Sequence, residues 1–145
     1  MVIIHVMREI PAPGDKVWSI ISNLDKEPSY WPGMKSIRNM ARTDTNIIER
    51  EVTISYRNSK CRETVILNPK HSIEVKITEG PIHGSKTIKL NSMGQDKTII
   101  DVLWNIKLVG LLEVFTSIVK RYIAKQTEEA VEGIARLAKA DSFVC

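Results

Sequence analysis

The chain has 145 residues, a formal charge of +4 and 43% hydrophobic residues. This length suits one domain with its own core, and no Pro-, Gly- or Ser-rich stretch marks a linker, so we expect a single domain over residues 1–145. The excess of Lys and Arg is mild and spread over both halves, which argues against a nucleic-acid-binding surface.

The first elements are predicted to be a strand and two short helical pieces. β-branched residues dominate residues 2–10, and the prolines and glycine that follow end this strand. A short helix then carries Val17, Trp18 and Ile21 on one side, and a poorer helix or turn covers residues 24–33. Trp31 in that turn could cover a cavity or hold the turn in place. The first strand lacks the features of a signal peptide.

Six further strands are predicted before the last third of the chain, at residues 36–41, 46–56, 60–67, 72–79, 85–91 and 97–108. Alternation assigns an inward face to the last five. The inward sets are Ile48, Arg50, Val52, Ile54 and Tyr56; Cys61, Glu63, Val65 and Leu67; Ile73, Val75, Ile77 and Glu79; Lys86, Ile88 and Leu90; and Thr98, Ile100, Val102, Trp104 and Ile106. A two-residue turn at Asn58 and Ser59 would place Ile54 opposite Glu63.

Four charged residues thus fall on a mainly aliphatic face. A buried charge needs a partner, access to the rim, or a wet cavity. Glu79 and Lys86 could pair across a hairpin near the sheet edge while Arg50 reaches solvent. Glu63 is harder to explain in this way, because Ile54 and Ile77 are expected to flank it, so it is a candidate functional residue.

The last third of the chain is predicted to be one long helix over residues 111–140. Its apolar residues recur at steps of three and four: Leu111, Phe115, Ile118, Val119, Tyr122, Ile123, Ala130, Ile134 and Leu137. One curved antiparallel sheet wrapped around this helix would cover that face, which gives an α+β fold with a pocket between sheet and helix. Trp104, Phe115 and Tyr122 would converge there, either as flat walls or as packing.

The order of elements and the segment IPAPGDKVWSIISNLDKEPSYWPGMKSI, from Ile10 to Ile37, resemble the START-related helix-grip superfamily (SRPBCC). The segment is similar to the opening of its polyketide cyclase and coenzyme Q-binding branch. The resemblance implies a seven-stranded antiparallel sheet around a long C-terminal helix, with two short helices after the first strand. It also implies hydrophobic ligands such as lipids, quinones or polyketides. In ligand-gated relatives two loops border the pocket, and the matching segments here are residues 57–60 and 80–84, the second containing His83.

The leading hypothesis is a carrier or binder of a hydrophobic small molecule, with a few polar groups that orient the ligand. An enzyme of the cyclase or dehydratase type is the alternative, with Glu63 or His83 as acid or base. A third possibility is a chaperone-associated interaction module that uses the sheet exterior. The predicted ligand-binding residues are Arg50, Val52, Ile54, Tyr56, Glu63, Val65, Val75, Ile77, His83, Ile88, Val102, Trp104, Phe115, Val119 and Tyr122.

Other classes of site are not supported by the sequence. The three histidines lie far apart without metal-ligand spacing, and no cofactor fingerprint occurs, so we expect no metal and no cofactor. Cys61 and Cys145 form no disulfide framework, which favours a reducing cytoplasm. The basic hairpin at Arg57, Lys60 and Arg62 could touch a membrane surface transiently or simply be a solvated edge. We expect no nucleic-acid partner, because aromatic residues do not interleave with these charges.

Overall fold

The computed structural model describes residues 1–142, so Cys145 lies outside the described residues. Two helical pieces follow the first strand and six more strands precede a long C-terminal helix, which confirms the predicted α+β class and order. The elements are β1 (Val2–Ile10), α1 (Gly14–Ile21), a first 3₁₀ helix (Leu24–Ser29), β2 (Met34–Asp44), β3 (Ile47–Ile54), a second 3₁₀ helix (Tyr56–Asn58), β4 (Lys60–Asn68), β5 (Ser72–Glu79), β6 (Ile82–Ser92), β7 (Thr98–Leu108), α2 (Leu111–Val114) and α3 (Thr116–Ser142).

The strands of the described chain form one antiparallel sheet in the order β1-β7-β6-β5-β4-β3-β2. Strands β2 to β7 follow one another as a meander, and β1 joins it beside β7, so β1 and β2 are the two edges. The inner face of the sheet carries the core, since the predicted inward aliphatic residues of β3 to β7 are mainly buried. No helix within residues 1–142 is long and apolar enough to span a membrane.

The C-terminal helix has two halves that differ in packing. Small residues in the second half, including Ala130, Ala135 and Ala138, are buried and allow α3 to lie close to α1 and the sheet. The first half carries Phe115, Ile118 and Tyr122, which all remain exposed by more than half. The prediction of one helix from residue 111 is wrong at its start, because the backbone leaves the helical region at Phe115 (φ −107°, ψ 29°) and separates α2 from α3.

The predicted pairing of β3 with β4 is wrong by four residues, since Glu63 was expected opposite Ile54. Arg50 lies opposite Glu63 and Val52 opposite Cys61, because the connection is a 3₁₀ turn with Arg57 and Asn58 at positive φ rather than a two-residue turn. A shift by an even number of residues leaves the faces unchanged. The inward assignment for these two strands therefore holds, but it now brings an arginine and a glutamate together.

Three further expectations need correction. β2 runs from Met34 to Asp44, longer than predicted, and most of its residues are exposed. β6 begins at Ile82, so the segment predicted as a loop over residues 80–84 is reduced to Gly80 and Pro81. Glu79 is exposed at the end of β5 and lies 3.8 Å from Arg62, not beside Lys86.

Candidate functional site

A cavity of about 380 Å³ lies between the inner face of the sheet and the first half of α3. It forms where the large side chains of α2 and early α3 replace the alanines that bring the later helix close to the sheet. Its lining includes nine of the predicted ligand-binding residues: Val52, Ile54, Tyr56, Glu63, Ile77, Trp104, Phe115, Val119 and Tyr122. Trp31, Met34, Cys61, Ile82, Lys86, Leu112 and Thr127 also line it but were absent from the predicted set.

Four predicted ligand-binding residues are placed elsewhere. Val65, Val75, Ile88 and Val102 are buried in the main core, together with Ile134 and Ala138 from the second half of α3. They share the inward face with the cavity residues but lie where helix and sheet are in direct contact. Alternation gives the face of a strand residue and cannot tell which stretch of that face is left uncovered.

His83 does not line the cavity, and its predicted position in a bordering loop is wrong. It lies within β6, paired with Lys107 of β7. Its neighbour Ile82 does line the cavity, and successive strand residues point to opposite faces, so His83 is on the outer face of the sheet. An acid or base role for His83 inside the cavity is therefore not compatible with this geometry.

Arg50 is wholly buried and bridges two carboxylates rather than lining the cavity or reaching solvent. Its Nη1 donates to Glu27 Oε1 at 2.5 Å, and its Nε donates to Glu63 Oε1 at 3.0 Å. Burial by itself lowers the pKa of the guanidinium, but the charges of Glu27 and Glu63 and the hydrogen bonds to them outweigh that effect and the pKa is raised. The bridge joins the first 3₁₀ helix to the centre of β3 and β4.

Glu27 was missed by the sequence analysis. It lies in the irregular 3₁₀ segment, where no periodicity distinguishes an inward from an outward residue, yet its side chain is almost fully buried. The nearby Tyr30 hydroxyl has a raised pKa, because it is buried and because Glu27 opposes its ionisation. The carboxylates of Glu27 and Glu63 thus share a single guanidinium.

Lys86 is the other buried cation of the site. Only 2% of the residue is exposed, and its Nζ lies 4.1 Å from the centre of the Trp31 ring and 5.1 Å from that of Trp104. Burial lowers the pKa of this ammonium; Glu27 and Glu63 oppose that shift, and Arg50 adds to it. The true start of β6 moves Lys86 from the predicted sheet edge into the strand interior, opposite Trp104.

The two tryptophans form one wall around Lys86. Their rings meet edge to face, with centroids 6.1 Å apart and planes at 81°. Trp104 Nε1 donates to Thr127 Oγ1 at 3.0 Å, which fixes its ring against α3. Trp31 Nε1 is buried with no hydrogen-bond partner among the described residues. Trp31 is therefore both a packed residue and part of the cavity wall.

Cys61 lines the cavity beside Glu63. Burial raises the pKa of its thiol to about 11, and the charge of Glu63 adds to the shift. A thiol with a raised pKa is a poor nucleophile near neutral pH, because the thiolate is the reactive form. We therefore treat Cys61 as a small wall residue.

Exposed apolar side chains recur along residues 109–122, the stretch that also supplies helix residues to the cavity lining, and we name them the mouth patch: Val109, Leu111, Val114, Phe115, Ile118 and Tyr122. Val114 is 77% exposed and Ile118 is 64% exposed. Side chains of this size usually pack inward on an amphipathic helix, and an exposed cluster of them marks an interaction or ligand-entry surface. Phe115, Ile118 and Tyr122 belong both to this patch and to the cavity lining.

The basic hairpin is largely neutralised by neighbouring acids. Lys60 and Arg38 both lie within 4 Å of Glu51, and Arg62 lies near Glu79.

A wider, open groove of about 910 Å³ runs between the first 3₁₀ helix and the second half of α3, with acidic and basic side chains along its rim. Among residues 1–142, no three metal-ligating side chains are grouped in a way that could hold an ion.

Comparison with protein-family models gives a match over residues 1–139 to the family described as polyketide cyclase / dehydrase and lipid transport. None of the curated proteins matches the sequence.

Solved structures with the same fold cover almost the whole chain. The protein TTHA0849 from Thermus thermophilus superposes with a TM-score of 0.81 at 17% identity, covering 97% of this chain and 99% of its own. The ZhuI aromatase/cyclase from a Streptomyces species gives 0.76 at 12% identity, covering 99% and 95%. A START superfamily protein from Mycobacterium smegmatis gives 0.69 at 17% identity, covering 92% and 99%. At these identities the likeness shows the helix-grip fold.

Proposed function

The chain belongs to the polyketide cyclase / dehydrase and lipid transport family, and from this premise we propose that it binds a hydrophobic small molecule in the cavity between the sheet and α3. The observation that carries the proposal is the cavity itself, at the place where the helix-grip fold separates helix from sheet. Its volume, about 380 Å³, falls within the range of roughly 300–1,000 Å³ that is usual for ligand sites.

The character of the walls supports a hydrophobic ligand. Aliphatic and aromatic side chains make up most of the lining, and its charged groups are Lys86 and Glu63. Apolar walls with a small number of placed polar groups are typical of sites that bind largely apolar molecules and orient them by one end. We propose carriage of the ligand rather than chemistry as the main role.

The test is direct binding of a neutral hydrophobic probe. N-phenyl-naphthylamine should bind the protein and become fluorescent, and extraction of the purified protein followed by mass spectrometry should recover a hydrophobic molecule. The Ile82→Trp variant, which adds an indole at the cavity wall, should lower probe affinity by about tenfold or more, since the added volume removes the space the probe needs.

The matched control is Leu103→Trp, on the outer face of β7, where the residue is exposed and lies outside the lining. It should bind the probe like the unmodified protein. Equal affinity of both variants, or no binding by any of them, would remove the proposal.

A cyclase or dehydratase activity is the second candidate function. It is favoured by the presence of Glu63 and Lys86 at the same cavity wall and by the fold shared with an aromatase/cyclase. Glu63 would act as the acid or base, although Arg50 holds its carboxylate. A Glu63→Gln variant that retains probe binding but loses turnover of a polyketide-like substrate would support this function, and unchanged turnover would exclude Glu63 from it.

We also propose that ligand enters from a membrane surface through the mouth patch. Phe115, Ile118 and Tyr122 of this patch are exposed and also line the cavity, and Lys107, Lys120 and Arg121 lie nearby in sequence and are exposed. Apolar side chains flanked by cations suit transient insertion between anionic lipids. This contact would let a poorly soluble ligand move between bilayer and cavity without crossing water.

A further inference from the structure

We propose that Lys86 is the specificity-determining residue of the cavity and that it selects hydrophobic molecules that carry a neutral carbonyl oxygen. This inference rests on the proposed function, since it requires that the cavity holds a hydrophobic ligand. Beyond that function, we assign the Lys86 ammonium as the group that recognises the ligand and a carbonyl as the ligand's polar end.

The Lys86 side chain has hydrogen-bond donors that the protein leaves unused. Its ammonium has three N–H groups, yet within residues 1–142 it makes no hydrogen bond and no ion pair, and it lies against the faces of Trp31 and Trp104. Trp31 Nε1 is a second donor without a partner in the same wall. Buried donors without acceptors are costly, so a ligand oxygen that accepts from them is stabilised.

The charges around Lys86 favour a neutral ligand. Glu27 and Glu63 carry two negative charges, and Arg50 and protonated Lys86 carry two positive charges, so the buried group is neutral in sum. Arg50 already bridges both carboxylates, and the two indole faces support the ammonium form of Lys86. A ligand anion would add an unbalanced charge to this buried group, whereas a carbonyl oxygen accepts the free N–H groups and adds none.

Lys86 also lies where it can contact the polar end of a ligand. Lys86 lines the cavity together with Ile77, Ile82 and Trp104, so its Nζ lies at a wall that is otherwise apolar. Glu63, the other charged lining residue, directs an oxygen toward Arg50. Lys86 is thus the one cation among the described lining residues, and a ligand carbonyl placed next to it leaves the rest of the ligand against aliphatic and aromatic walls.

The experiment compares three naphthalene probes of similar size: prodan, which carries a ketone; N-phenyl-naphthylamine, which has no carbonyl; and anilinonaphthalene sulfonate, which is an anion. Lys86→Met should lower the affinity for prodan by about tenfold or more, because a hydrogen bond from a charged donor is lost. Affinity for N-phenyl-naphthylamine should change by less than about threefold, and the wild type should prefer prodan to the sulfonate. The matched control, Lys89→Met on the exposed outer face of β6, should bind all three probes like the wild type.

Two further measurements keep the proposal testable if Lys86→Met does not fold. Lys86→Gln retains an N–H donor without the charge and should keep more prodan affinity than the methionine variant. In the wild type, the emission of bound prodan should lie at longer wavelength than its emission in an apolar solvent, because a hydrogen bond to the ketone stabilises the excited state. This emission should shift to shorter wavelength as the pH rises and Lys86 loses its proton. The titratable groups that face Lys86 are Glu27, Arg50 and Glu63.

The outcomes separate the two proposals. If prodan affinity falls no more than that of N-phenyl-naphthylamine, Lys86 does not recognise the carbonyl and this inference is wrong. If the sulfonate loses the most affinity, Lys86 is an anion-binding residue and the ligand class is wrong. If none of the three probes binds the wild type, the proposed function itself fails.

Discussion

The buried bridge from Glu27 through Arg50 to Glu63 allows a quantitative test by Arg50→Met. The substitution keeps a long apolar side chain but leaves two carboxylates buried without a partner. Breaking a buried ion pair from one side costs about 3–5 kcal/mol. With an m-value of about 2 kcal/mol/M, a loss of about 4 kcal/mol moves the urea midpoint down by about 2 M.

The assay is equilibrium urea unfolding followed by circular dichroism at neutral pH. The matched control is Arg38→Met on the neighbouring strand β2, where the guanidinium is 68% exposed and lies 3.5 Å from Glu51. Exposed pairs of this kind contribute about 0.2–1 kcal/mol, so its midpoint should barely move. A triple variant that adds Glu27→Gln and Glu63→Gln to Arg50→Met should recover at least half of the loss, because both unpaired carboxylates are removed and Lys86, which lies against two indole rings, is the one charge left in the group. A loss below about 1 kcal/mol for Arg50→Met, or no recovery in the triple variant, would refute the reasoning.

Three other predictions follow from the site. In a Cys145→Ser background, the rate of Cys61 alkylation, followed by mass spectrometry, should reach half its maximum at a pH of about 11, because burial raises the pKa of the thiol and keeps it protonated. A midpoint near pH 9 would contradict the buried environment. The double variant Val114→Asp, Ile118→Asp should reduce flotation of the protein with anionic vesicles by about fivefold or more, since the mouth patch then carries negative charge. The control Met93→Asp, in the β6–β7 loop, should float like the wild type, and an equal loss in both variants would exclude the mouth patch as the membrane-contact surface. His83→Ala should leave probe affinity within about twofold, because the residue lies on the outer face of β6; a large loss of affinity would restore it to the site.

The fold was accessible from the sequence because its signals are local and periodic. Strand alternation gave the inward face of β3 to β7, and the three- and four-residue steps gave the long helix. The turn between β3 and β4 was not accessible, since Arg57 and Asn58 adopt positive φ without the glycine that would have indicated it. The error of four residues in the pairing concealed the contact between Arg50 and Glu63.

The site was accessible only in part, and the reason is geometric. Val65 and Ile77 have the same pattern in sequence, yet Val65 is packed under the second half of α3 and Ile77 borders the cavity. That difference depends on where the helix leaves the sheet, which is set by contacts between distant residues such as Ala138 and the inner face of the strands. Glu27 lies in an irregular segment where no period applies. Alternation gives the correct face for Lys86, but β6 begins at Ile82, three residues before the predicted start, so Lys86 lies in the strand interior and not at its edge.

Nuclear Overhauser effects between bound N-phenyl-naphthylamine and methyl-labelled protein can show whether a hydrophobic molecule occupies the space between the sheet and the first half of α3. We expect cross-peaks from the probe to the methyl groups of Ile54, Ile77 and Val119, which line the cavity. Cross-peaks confined to outer-face residues such as Ile3 and Leu103, with none to those three, would contradict it.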